Sequence, residues 1–494
     1  MKVLYDNLEE SNRQWFRDCL FEAYKSDNSP RIIHSKLDKE SYIKIFNQSN
    51  EVLSLKTDNK IILCYQFFSL QIKEKNIEAN RIFDFIKFLK ETKILVEVCL
   101  DNREDEQKIF DSINSTGEPL SSTDIIKNAL FDKIIKESGE EKAIKLYEHW
   151  QSAFGEDKEE ENNFWNTRVG KEQRYKSEIF LHALAVIEGF FDYSKKHNIS
   201  HLASLYKEYI KNFDSNKLEN FLQRIENFSK IYRNFPQIID TKDEKTLFNF
   251  DDWKLRLFHI MDEYNINTAL PLLLKLEYQL KDDNKNLEKC LKLLEILLLC
   301  NSQTKSYNTF FAKLTRELPK DNEEIYKYLK QEITKDYKDN LSNIKEWLNC
   351  IKENKDAKII LFWIELYREF KDRDYKDKTI GLHYEYQLEH LMPQSWQQYW
   401  NNITDEENAD RLIYQIGNMT LLKGKLNNEL KNREWLIKLN GNGKARNYIS
   451  KNADLSINKE LLDKIEWNEK EITERTNHFI EEFFKIWNVD IFTK

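Results

Sequence analysis

Apolar residues recur at i, i+3 and i+4 along much of the central chain, over 179–191, 218–232, 269–280, 287–299 and 357–370. This spacing predicts amphipathic helices whose apolar stripes share a core, as in a bundle. Near the C-terminus the period changes. Residues 384–390 alternate aromatic or apolar with polar side chains, as a strand does, and Pro393 marks its end. A second short strand is predicted over 416–422 and a helix over 426–439. The stretch 472–483 is amphipathic, and Trp467, Arg475 and Trp487 are expected on helical segments packed over this C-terminal region. Charged runs at 156–163 and 371–378 predict exposed loops, the second a linker. There is no internal repeat.

Composition agrees with a mostly α, multidomain chain. Its 494 residues include only 10 Gly and 6 Pro, too few for many tight turns, and two to three domains could each bury a core at this length. A net charge of −8 excludes a globally basic nucleic-acid coat but leaves room for a local one. Six cysteines (Cys19, Cys64, Cys99, Cys290, Cys300, Cys350) lie far apart without a Cys-x-x-Cys, so reduced, buried thiols are expected. The polar opening of the chain and the absence of a long apolar run predict a soluble, cytoplasmic protein with no membrane partner.

The chemistry concentrates between residues 389 and 427. Glu389 is followed directly by His390, Asn418 stands further on, and Asn427 comes nine residues after Asn418. Phosphodiester hydrolysis needs a base to deprotonate water and a cation, held by ligands, to neutralise the growing phosphate charge. His390 suits the base because its ordinary pKa lies near neutrality. Glu389 and Asn427 offer the oxygen ligands that Mg²⁺ or Mn²⁺ prefers. Asn418 is expected to hold His390 in orientation by a hydrogen bond. Two strands and a helix around one metal form a ββα-metal arrangement. Between 423 and 446, seven basic residues (Lys423, Lys425, Lys431, Arg433, Lys438, Lys444, Arg446) face two acidic ones, a local excess that could meet DNA phosphates or simply be a solvated helix face.

Upstream, 110–131 joins an apolar segment to a polar turn and a capped helix. Asn114 and Gly117 suit the turn, Ser121, Ser122 or Thr123 the cap, and the helix carries Lys127 and Asn128. Free N–H groups at such a start can bind an anion, although every turn before a helix has them. His197 and His201 are expected in a loop or helix start rather than at a metal, and Gly441 to Lys444 in a flexible turn.

With these residues in view, 384–427 resembles an HNH-type nuclease, and specifically the nuclease domain of GmrSD-type restriction enzymes, whose His-x-x-Pro-Gln and Gly-Asn-Leu-Thr-Leu-Leu signatures appear here with Met419 in place of the Leu after Asn. The resemblance implies His390 as general base, Asn418 as the positioning Asn, and Glu389 and Asn427 as metal ligands. Asn428 departs from the nine-residue spacing. Residues 110–131 resemble the later part of the ParB/sulfiredoxin-like domain that precedes the nuclease in that family and is linked to nucleotide binding, which would give Asn114, Gly117, Lys127 and Asn128 a nucleotide. The family's Asp-Gly-Gln-Gln-Arg box is missing; the nearest landmark is Ser29 to Ile33. Either the domain is truncated or a separate chain supplies its first half, and an NTP stays a second candidate cofactor after the divalent metal.

The implied organisation is a partial sensor domain over 1–135, a helical middle domain over 136–375 and a nuclease domain over 376–494. The implied function is cleavage of foreign, phage or modified DNA, with Lys423, Lys425, Lys431 and Arg433 as DNA contacts and a homo-oligomer compatible with the sequence. A non-catalytic DNA- or partner-binding subunit of a split defence complex, or a nuclease acting on RNA, is the alternative.

Overall fold

In the computed structural model the described residues are 2–20, 30, 39–57, 59–92, 121–155, 158–170, 172–300, 307–371, 381–397, 400, 406–430, 432–443 and 447–492. The chain divides into two compact units, 1–119 and 120–494.

In the first unit, short helices Lys2–Asp6, Glu10–Leu20 and Lys39–Asn47 precede Lys60–Glu74 and Ala79–Glu91. Asn59 starts Lys60–Glu74 by accepting hydrogen bonds from the N–H groups of Ile61 and Ile62. Two small cores form, one from Leu8, Phe16, Ile82 and Ile86 and one from Val3, Ile45, Val52, Ile62 and Tyr65.

The second unit is a helical body with a short hairpin set against it. The predicted helices are present as Lys176–Ile187, Ser215–Arg233, Leu270–Gln279, Asn284–Cys300 and Asn354–Lys371. Helix Ser122–Phe154 starts with Ser121 and Asp124 in a capping box and breaks at Gly139, whose φ of 79° turns it into an antiparallel pair. Three two-stranded sheets occur among the described residues: β1 (Arg168–Val169) with β2 (Arg174–Tyr175), β3 (Leu247–Phe248) with β4 (Leu382–His383), and β5 (Tyr386–His390) with β6 (Met419–Lys423). The β3–β4 pair ties the approach to the hairpin to the helical body.

Several sequence expectations are corrected. The strand expected over 384–390 begins at Tyr386, after a break at Glu385. Ile416–Asn418 is a 3₁₀ turn, so the second strand runs Met419–Lys423 instead of 416–422. The helix expected over 426–439 is two helices, Gly424–Leu430 and Trp435–Asn440, the second opening at Glu434, whose ψ of 157° is extended. The run expected to loop at 156–163 contains helix Glu159–Asn166, whose first turn carries three glutamates that suit the positive end of its dipole and whose Trp165 is buried. Cys64 and Cys350 are exposed, not buried. All of 110–120 and 372–378, and all of 29–33 except residue 30, lie outside the described residues.

The hairpin lies between two cores. Tyr386, Met419 and Leu421 join the core of the helical body, while Leu422 joins a second core with Leu391, Met392, Trp396, Leu426, Trp435 and Trp467. A strand's side chains alternate between faces, so the hairpin presents one set of residues to each layer.

Candidate active site

β5 and β6 pair antiparallel with Glu389 opposite Thr420 and His390 opposite Met419. The acidic residue and the histidine therefore end one strand directly beside the start of the other. Gln387 and Glu389, two apart, share the face against which helix Gly424–Leu430 packs. Asn427 on that helix donates from Nδ2 to Gln387 Oε1 at 3.3 Å and to the Leu388 carbonyl at 3.5 Å. Asn427 is thus held on the stretch of strand that leads into Glu389. Its Oδ1 is buried and has no hydrogen-bond partner among the described residues.

His390 has the same kind of vacancy. Its Nε2 is buried and unpartnered, and its ring stands edge-on to Tyr414 with centroids 6.3 Å apart. Burial first, then the positive charge of Lys438, pushes the imidazole's pKa down to about 4. At neutral pH the ring is uncharged, with a nitrogen able to accept a proton.

Asn418 is completely buried and fully used. Its Oδ1 accepts from the Met392 N–H at 2.8 Å and from the Trp467 indole at 3.0 Å. Its Nδ2 donates to the carbonyls of Met392 at 2.9 Å and Ile413 at 3.2 Å. Two of these bonds run to Met392 in the loop after His390 and none to the imidazole expected from sequence, so Asn418 holds the histidine only through backbone. Arg475 clamps the same turn from the other side, donating from Nη1 to the carbonyls of Gly417 at 2.7 Å and Met419 at 2.8 Å. Its Nε binds Glu460, which also binds Arg368 of the helical body.

Lys438 is the residue that sequence reasoning misplaced. Counted there within a basic surface run, it has no solvent exposure. Its Nζ donates to Glu389 Oε1 at 2.6 Å and to the His390 carbonyl at 2.8 Å. Burial pushes the Glu389 carboxyl up and the Lys438 ammonium down, each against the pull of its partner. A lysine that follows Trp435 by three and precedes Leu439 by one lies on the buried stripe of its helix, which was the one signal available.

Of the expected DNA contacts, the side chains of Lys423 and Arg433 are described. Lys423 is exposed and paired with Asp454 at 2.9 Å, and Arg433 is half-buried with an unpartnered Nη1. Lys431 and the side chain of Lys425 lie outside the described residues. Of the expected nucleotide residues, Asn114 and Gly117 also lie outside them. Lys127 donates to the Tyr147 hydroxyl at 3.2 Å across the Gly139 break, and Asn128 is exposed. At the start of their helix, the Ser122 N–H donates to Glu178 at 3.2 Å and the Asp124 N–H to Ser121 at 3.1 Å. His197 accepts from the Asp192 N–H at 3.1 Å, while His201 ends a 3₁₀ turn, in line with the loop expected there.

A metal is tested by what the site leaves unpaired. Glu389 is joined by Lys438 through one oxygen only, and Asn427, held on Gln387 two residues before it on the strand, has an orphaned Oδ1. Mg²⁺ keeps most of its waters and takes one or two protein oxygens together with phosphate oxygens, so a carboxylate and an amide fit it. Among the described residues no group of three or more His, Cys, Asp or Glu could hold a metal, so any ion at this site would rely on such a sparse set.

The class of protein, a restriction endonuclease, rests on two family matches. Residues 335–482 match the C-terminal domain of GmrSD restriction endonucleases, and residues 3–131 match the N-terminal domain of GmrSD restriction endonucleases. The chain belongs to the GmrSD-type restriction endonuclease family and is a nuclease of restriction. A search of the curated proteins finds no match. No helix among the described residues is long and apolar enough to cross a membrane.

Proposed function

We propose that the chain is a metal-dependent endonuclease of the HNH type that hydrolyses phosphodiester bonds in foreign DNA. The observation that carries this reading is two buried, unpartnered polar atoms, Nε2 of His390 at the end of β5 and Oδ1 of Asn427 on the helix packed against that strand, with Glu389 next to the histidine in the chain. Native proteins rarely leave buried polar atoms unpaired, and those they do leave are met by a water or an ion, hold strain, or take part in a reaction.

In this reading Glu389 and Asn427 hold the cation, and a bound Mg²⁺ or Mn²⁺ supplies neutralisation of the charge that develops on the phosphate. His390, uncharged at neutral pH, takes the proton from the attacking water. Asn418 and Arg475 do no chemistry; they lock the turn and the loop on either side of the histidine. Phage DNA, including DNA with modified bases, is the substrate class proposed.

The test is cleavage of plain and modified DNA by the purified chain with Mn²⁺, compared with Glu389→Ala and Asn427→Ala. Loss of cutting in both supports the reading; cutting that survives in both removes the cation from it.

A further inference from the structure

A lysine normally keeps its ammonium in water by extending its stem, and burying that charge is costly without a partner. Lys438 is nevertheless fully buried, and its two contacts are Glu389 Oε1 and the carbonyl of His390. An ion pair serving only the core could join any two elements. This one joins helix Trp435–Asn440 to the two consecutive residues assigned to the cation and to the base.

We propose that Lys438 is a positioning residue for the cation site. By occupying Oε1 it leaves Oε2 as the oxygen that Glu389 gives to the cation, and by holding the His390 carbonyl it fixes the strand end that carries the imidazole. The Glu389 side chain is only 14% exposed, so without this tether it would have little reason to keep a charged, outward-serving arrangement rather than repack. Lys438 does not touch substrate, since none of it reaches solvent. The proposal rests on the reading of Glu389 as a metal ligand.

The experiment is a Mn²⁺ titration of the full chain, following free Mn²⁺ by electron paramagnetic resonance, for wild type, Glu389→Ala, His390→Ala, Lys438→Met and Lys438→Gln, with circular dichroism to check folding. Wild type and His390→Ala should bind Mn²⁺ alike, and Glu389→Ala should lose it. Partners that orient a ligand typically change metal affinity by about 10–100-fold, so the Lys438 variants should weaken binding at least roughly tenfold, and raised Mn²⁺ should restore their cleavage but not that of His390→Ala. Lys438→Gln keeps a neutral donor and serves if the Met variant does not fold. A folded Lys438 variant with unchanged Mn²⁺ affinity, or with the tighter affinity that removing a positive charge alone would give, overturns the proposal. Absence of Mn²⁺ uptake by wild type overturns the metal reading and this proposal together.

Discussion

At the scale of single residues, His390 and Asn418 should separate chemistry from architecture. His390 Nε2 has no partner, so His390→Ala leaves no group unpaired at that atom and should lower the unfolding midpoint less than Asn418→Ala does. Loss of a general base typically costs about 10²–10⁴-fold in rate, which is the drop expected in DNA cleavage. Asn418→Ala should do both kinds of damage. It leaves the Met392 N–H and the Trp467 indole buried without an acceptor, at about 1–3 kcal/mol each, and it loosens the loop after the histidine. Urea unfolding and cleavage measured on the two variants check this; equal stability in both would contradict the role given to Asn418. That Glu389, His390, Asn418 and Asn427 gather about one pair of strands was legible in sequence from their order and spacing. Lys438 was not, because a sequence shows a charge without its burial, and its partners lie 48 and 49 residues away.

At the scale of elements, helical periodicity was easy to read because five long stripes each bury one face. The hairpin was harder. Whether Ile416 to Asn418 is strand or turn depends on Arg475 and Thr476, which come from a helix more than fifty residues later and take up the turn's backbone groups. Gly417 shows how close that approach is, since a Cβ there would fall on the backbone of Ile472 and Thr476. Gly417→Ala should therefore destabilise by about 1–3 kcal/mol, the usual cost of overpacking, read as a lower urea midpoint with reduced cleavage. A midpoint equal to wild type would mean that the helix Glu469–Ile486 does not press on the turn.

A pH effect belongs to the helices of the body. His259 is buried and accepts a hydrogen bond at Nδ1 from the Trp363 indole. Burial, then the charge of Lys358, pushes its pKa down to about 3. The unfolded chain binds that proton near the ordinary value of 6.5 while the fold refuses it. The contribution is intact above pH 6.5 and is withdrawn as pH falls towards about 3, by at most about 1.4 kcal/mol per pH unit. His259→Gln, which keeps an acceptor but does not titrate, should lose less stability than wild type between pH 7 and pH 5. Parallel losses in the two proteins would count against it.

At the scale of the whole molecule, the hairpin is built into the helical body and is not an appendage of it. Tyr386, Met419 and Leu421 share the body's core, and Arg368 reaches from helix Asn354–Lys371 to Glu460 and Glu482 of the C-terminal segment. The match to the C-terminal family domain begins at residue 335, inside the helical body, as such shared packing would require. Sequence pattern located the two strands but not their dependence on the body, because core sharing is a long-range property that local periodicity does not carry. The central claim is that Glu389, His390 and Asn427 form one metal-dependent cutting site. Its most direct test is cleavage of phage-modified DNA by the full chain with Mn²⁺, with EDTA and with His390→Ala. The account predicts cutting with Mn²⁺, none with EDTA and none by the mutant; cutting that persists in EDTA or in His390→Ala would contradict it.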